Sequence, residues 1–137
     1  MVGDVVLKCL TMSKNETPLT MRYWRSVGGS LVLEFPAVKR TENSGQRLID
    51  GVIVFDGKTR IAGANDVQIE DKDIIVVQTK ANRLGMYLMG QALFSIGLMK
   101  RFKPKSIRSV AVCTRHDEEL EELLRLHNDI EVVVYDD

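Results

Sequence analysis

The sequence predicts an α/β domain, a mixed β-sheet flanked by helices in the order αβββαβαβ, occupying residues 1–137 as one unit. Three observations carry that expectation. Residues 48–55 and 74–77 are nearly continuous apolar runs rich in Val and Ile, the composition of strands buried on both faces. Residues 84–99 contain no charge and are interrupted by Gly85, Gly90, Gln91, Ser95 and Gly97, which makes them a buried helix and not the roughly 18–20 apolar residues of a membrane span. Residues 107–135 then alternate strand, helix and strand, a pattern that favours parallel pairing with right-handed crossovers.

Each element follows from local chemistry. Val2, Val5, Val6, Cys9 and Leu10 have helical spacing, with a short strand as the alternative. Thr17-Pro18 reads as an N-cap followed by proline at the first helical position, and Gly28-Gly29 stops the helix it opens. A strand at 31–35 ends at Pro36, and the polar stretch 39–46 turns the chain into the strand at 48–55, which Asp56-Gly57 ends. The connection 57–72 holds at most a small irregular strand at 67–69. A strand follows at 73–80. Asn82 caps a helix over 83–102. Residues 107–113 form a strand, 117–127 an acidic amphipathic helix with Leu120, Leu123 and Leu124 inward, and 130–135 the last strand.

The composition, 45% hydrophobic and 28% charged, is that of an ordinary soluble globular protein. Nineteen basic and nineteen acidic residues cancel, so net charge does not by itself argue for nucleic acid. Cys9 and Cys113 form neither a CxxC motif nor a disulfide framework, and no basic leader precedes a long apolar run. A cytoplasmic protein without signal peptide or structural zinc is expected. Hydrolase nucleophile signatures, a P-loop and a GxGxxG fingerprint are absent from the sequence.

Two strands carry the chemistry. Asp50 lies in an otherwise apolar run, where a carboxylate needs a compensating partner, and a divalent cation is one. A strand-end aspartate that caps a turn or pairs with Arg47 is the alternative. Gln78 and Lys80 alternate onto one face of the next strand, with Thr79 on the other. Glu34 alternates onto the face opposite Leu31, Leu33 and Phe35, as a solvated residue or as an additional acid; Glu16, outside the expected helix, is the weaker choice. Tyr87, Gln91 and Ser95 recur every four residues as a polar stripe on the uncharged helix. Lys100, Arg101, Lys103, Lys105 and Arg108 place five positive charges in nine residues, a solvated loop or a phosphate-binding segment.

Asp50 followed by Gln78-Thr79-Lys80 resembles the PD-(D/E)xK nuclease superfamily, and the text IDGVIV then IIVVQTK is most similar to its Mrr-type Gln-x-Lys variant. The resemblance covers residues 18–135, with Ile49 standing where the named motif has proline. It implies a restriction-endonuclease-like fold and Mg²⁺- or Mn²⁺-dependent cleavage of DNA. In that scheme Asp50, Gln78 and Glu34 hold the metal, Lys80 positions the nucleophile, and Gln91, Tyr87, Arg83 and the basic residues Lys100 to Lys105 contact substrate. Specificity would come from a homodimer, from DNA structure or from a partner protein. Gln78 in place of an acid leaves two outcomes open, an active enzyme or a nuclease-like module that binds DNA or protein without cutting.

Overall fold

The computed structural model describes residues 16–136, so the segment holding Val2 to Leu10 lies outside the described residues. Helix α1 (Glu16–Val27) leads into strands β1 (Ser30–Val38) and β2 (Arg47–Val54). A two-residue β3 (Arg60–Ile61) and a 3₁₀ turn (Ala64–Asp66) precede β4 (Asp73–Thr79), α2 (Met86–Lys100), β5 (Ser106–Cys113), α3 (Glu118–Leu124) and β6 (Ile130–Val134). The strands form one mixed sheet in the order β3-β1-β2-β4-β5-β6. β2 is antiparallel to β1 and β4, whereas β4, β5 and β6 run parallel, joined through α2 and α3. The α/β class expected from the sequence is the one observed.

Apolar alternation divides the sheet between two layers. On one side Tyr23 of α1 packs with Leu31, Leu33, Ile53, Val77 and Val112. On the other, Met99 of α2 packs with Val32, Val52, Val54 and Val76, while Leu88, Ala92 and Ile96 of α2 meet Leu124 of α3 over Ala111 and Cys113. Both layers are closed by helices, so β4 and β5 are buried on both faces and read as continuous apolar runs. Among the described residues no helix is long and apolar enough to cross a membrane.

Four local expectations are corrected. No strand forms at 67–69; the short strand is Arg60–Ile61, parallel to Ser30–Leu31, and it is anchored by Arg60, whose guanidinium donates to Ser30 Oγ at 3.1 Å and to Asp56 at 3.4 Å. Pro36 does not end β1. It pairs with Leu48 on one side, and β3 reaches only Ser30 and Leu31 on the other, so among the described residues the edge beyond that point is open and proline's missing donor leaves no ladder bond unmade. Asn82 does not start α2, because residues 82–84 run beside 114–115: Thr114 N–H donates to Asn82 O and Leu84 N–H to Arg115 O, both at 3.0 Å. The helix begins only after Gly85. Finally, Phe35 is not on the face of Leu31 and Leu33. Glu34 adopts φ 50°, a left-handed conformation that interrupts the alternation, so Leu33 packs under α1 and Phe35 in the opposite layer, edge-on to Phe102 at 5.4 Å.

Candidate functional site

The left-handed residue Glu34 faces Asp50. Pairing of Leu33 with Gly51 and of Phe35 with Ile49 puts Glu34 and Asp50 opposite each other across the β1–β2 ladder, and neither joins it as a regular pair. Asp50 is held from the other flank, where its Oδ2 accepts the Thr79 backbone N–H at 2.8 Å. A non-glycine residue with positive φ beside a partly buried carboxylate is strain concentrated at one point of the sheet.

The first turn of α1 closes on the same point. Thr20 Oγ1 donates to Glu16 O at 3.1 Å and meets Thr79 Oγ1 at 2.9 Å, while Glu16 Oε2 accepts the Ala81 N–H at 3.3 Å. Gly51 makes this approach feasible, since a Cβ there would stand 2.9 Å from Thr20 Cγ2 and 3.1 Å from Leu31 Cδ1. Gly51→Ala is accordingly expected to cost about 1–3 kcal/mol, as overpacking does, and to loosen α1 from the sheet. Urea denaturation against wild type checks the loss.

Electrostatics ties the groups together. Burial is the main reason the Asp50 carboxyl is pushed up to about 6; the Thr79 hydrogen bond works against it, the negative charges of Glu34 and Glu16 add to it, and Lys80 lowers it. Burial also raises Glu34 above the usual carboxylate range. Lys80 is exposed just beyond β4, its N–H donating to Val112 O at 2.9 Å as one more rung beside β5. The structure therefore groups Asp50, Glu34, Glu16 and Lys80 at one end of the sheet. Glu16, the weaker choice from the sequence, belongs to this group because α1 starts with it rather than after Thr17.

Gln78 does not join them. It is only 3% exposed, and its Nε2 donates to Ser95 Oγ on α2 at 2.8 Å. Ser95 Oγ in turn donates to Gln91 O at 2.6 Å, so its proton is committed, and the Gln78 Oε1 atom is left buried with no hydrogen-bond partner among the described residues. The expectation that Asp50, Gln78 and Lys80 converge in one cleft thus fails for Gln78, because its amide is taken by Ser95 of α2 while the adjacent Thr79 meets Thr20 of α1. The Tyr87–Gln91–Ser95 stripe does line a cavity of about 560 Å³ together with Gln78.

The basic residues are redistributed as well. Arg83 donates from Nη1 to His116 O at 3.0 Å and bridges Arg115, a role in joining two loops. Lys105 N–H donates to Lys72 O and Asp71 N–H to Lys103 O, which sets the segment containing Lys100, Arg101, Lys103 and Lys105 beside the start of β4. Asp50 is near the other end of that strand, ~20 Å away at about 3.3 Å per residue. Arg108 is paired with Glu131 at 3.1 Å. The exposed cations at the Asp50 end are instead Lys39, Arg40, Arg47, Lys80, Arg83 and Arg115, brought there by the ends of β1, β4 and β5 and the start of β2. They are scattered in sequence and only strand direction collects them.

Among the described residues no group of three or more His, Cys, Asp or Glu side chains is arranged to hold a metal ion. A small hard cation asks for less, namely one or two carboxylates with water and substrate oxygens completing the shell. Asp50 with Glu34 or Glu16 fits that donor chemistry; Gln78, turned to Ser95, does not. No family model, curated protein or solved structure matches the chain.

Proposed function

We propose that this protein is a Mg²⁺- or Mn²⁺-dependent nuclease of the PD-(D/E)xK type acting on DNA. The observation that carries the reading is the grouping of Asp50, Glu34, Glu16 and Lys80 where β2 and β4 end their pairing, with the carboxyl of Asp50 raised by burial and by its two acidic neighbours. Like charges crowded in a half-buried position favour a cation between them. The order helix, antiparallel strands, helix and parallel strand is consistent with the arrangement that the resemblance implies.

A bound divalent cation would supply Lewis-acid polarisation of the phosphodiester and a more acidic attacking water. The chain's own groups do the rest. Asp50, fixed by the Thr79 N–H, presents one carboxylate oxygen in a set position. Glu34 and Glu16 stand beside it, and Glu34, whose carboxyl burial raises above the usual carboxylate range, is the group suited to take a proton from the water. The Lys80 ammonium, exposed at the rim, is placed to orient the nucleophile and to offset charge that builds on the phosphate in the transition state. Arg47, Lys39, Arg40 and Arg115 supply contacts to the phosphate backbone at the same end.

Addition of Mg²⁺ or Mn²⁺ at pH 7.5 is expected to raise the melting temperature. At a hundredfold excess over Kd the stabilisation is about 2.7 kcal/mol. Asp50→Ala is expected to show no such shift, and equal shifts in both proteins would remove Asp50 from the metal site. A second reading, a nuclease-like module that binds without cutting, is favoured by one observation: the Gln78 position, an acid in many members of the resembled superfamily, is spent on Ser95.

A further inference from the structure

The cavity beside Gln78 is separate from the carboxylate group and has its own chemistry. It holds about 560 Å³ between the start of β2 and α2, within the size range of small-ligand sites, and none of its lining residues is acidic. Its floor contains the Gln78–Ser95 pair, and Gln78, only 3% exposed, keeps Oε1 without a hydrogen-bond partner among the described residues. A buried carbonyl oxygen left unpaired is costly and selects a ligand that brings an N–H donor. The walls are aromatic: Tyr87 and Phe94, seven residues apart on α2, are 79% and 73% exposed. Arg47 stands at the mouth, three residues before Asp50 on the same strand.

A planar heterocycle with an N–H edge, attached to an anionic group, satisfies all of these features. We infer that the cavity takes one unpaired nucleobase of the DNA substrate, stacked by Tyr87 and Phe94 and accepted at its amino edge by Gln78 Oε1, while Arg47 meets the adjoining phosphate. The inference rests on the nuclease reading for its choice of substrate. It assigns the protein to DNA with unstacked bases, such as bulges, branches or single-stranded ends, in preference to uninterrupted duplex. Base stacking on aromatic side chains in single-strand-binding proteins is worth enough to set such a preference.

The test uses the whole chain in EDTA, where cleavage cannot occur. The probes are a duplex with one bulged 2-aminopurine, whose exocyclic amine is the required donor, and the same duplex with an abasic residue in its place. Wild type is expected to quench the 2-aminopurine and to bind its duplex about tenfold more tightly than the abasic one. Gly90→Leu fills the cavity from α2 at a position where a Cβ would meet nothing within 4 Å, so folding is spared, and it is expected to abolish both the quenching and the preference. Tyr87→Ala is expected to weaken them in the same direction.

Equal affinity for the two probes, or quenching that survives Gly90→Leu, overturns the inference. So does sedimentation showing a dimer that Gly90→Leu dissociates without any effect on base quenching, since the face would then be an interface between copies of the chain. Quenching by a protein that cuts no DNA with Mg²⁺ sustains the pocket and removes the nuclease reading; cutting without quenching removes the pocket alone.

Discussion

Asp50→Asn is expected to give a protein more stable than wild type at neutral pH and inert as a nuclease. The amide keeps an oxygen for the Thr79 N–H, so the local geometry has its anchor, while the buried charge disappears. The sign follows from the two protonation equilibria. An aspartate in the unfolded chain titrates near pH ~3.9, whereas Asp50 in the folded protein titrates at about 6, so between those values the unfolded state releases its proton first. Stability therefore falls as pH rises from about 4 to about 6 and stays lower above that window. Two pKa units amount to roughly 2–3 kcal/mol, the gain expected for Asp50→Asn at pH 7.5 and absent at pH 4. Thermal melting at both pH values checks it, with an expected rise on the order of 5–10 °C at the higher pH only. A variant less stable than wild type at pH 7.5 would show that the carboxylate is compensated within the fold. Stability given up at a single carboxylate is the usual mark of a site kept for binding or catalysis.

Gln78→Glu should act in the opposite sense. At that position the resemblance accepts an acid, and a sequence comparison alone makes the change benign or even favourable for metal. The structure assigns it a buried place against Ser95, whose hydroxyl proton already goes to Gln91 O. A carboxylate there loses the Nε2 donor and is desolvated beside an acceptor, so its pKa is raised and its ionised form is costly. The expected destabilisation is about 2–4 kcal/mol at pH 8, shrinking toward pH 5 as the acid takes up a proton and can donate to Ser95 Oγ. Urea denaturation at the two pH values measures it. A variant as stable as wild type at pH 8 that responds more strongly to Mg²⁺ would mean that Gln78 faces the metal, against the placement described above.

Much of the architecture is legible in the sequence because burial on both faces leaves a strong signal. The Val- and Ile-rich runs of β2, β4 and β5, and the uncharged α2 between them, fit only the centre of a covered sheet. The acidic start of α3 is similarly plain, with Asp117 accepting the Leu120 N–H at 3.0 Å as a side-chain cap. What periodicity misses is produced by tertiary pairing. Residues 82–84 have a cap residue and a helical sequence after it, but pairing with 114–115 keeps them extended. Glu34 breaks its strand's alternation through a backbone angle that no residue pattern announces.

The candidate site divides in the same manner. Asp50 and Lys80 are identifiable because charged residues at the ends of apolar strands are conspicuous. Glu16 is not, because its membership depends on α1 beginning one residue earlier than Thr17 and on Gly51 letting that helix descend to the sheet. Strand alternation alone pairs Gln78 with Lys80, and the helix that claims its amide is not visible in the strand's pattern. The run from Lys100 to Lys105 is prominent in sequence and lies at the far end of the sheet, whereas the cations near Asp50 are six separate residues gathered by topology.

The most direct measurement is cleavage of supercoiled, linear and branched DNA in Mg²⁺ or Mn²⁺ by wild type, Asp50→Asn and Lys80→Ala at matched purity, each shown to be folded by its melting curve. The account predicts metal-dependent cutting by wild type, fastest on DNA with unstacked bases, and a loss of about a hundredfold or more in each variant, the scale on which positioned acid–base and electrostatic groups contribute. Cutting by Asp50→Asn at the wild-type rate, or no cutting of any DNA form by wild type, would contradict it.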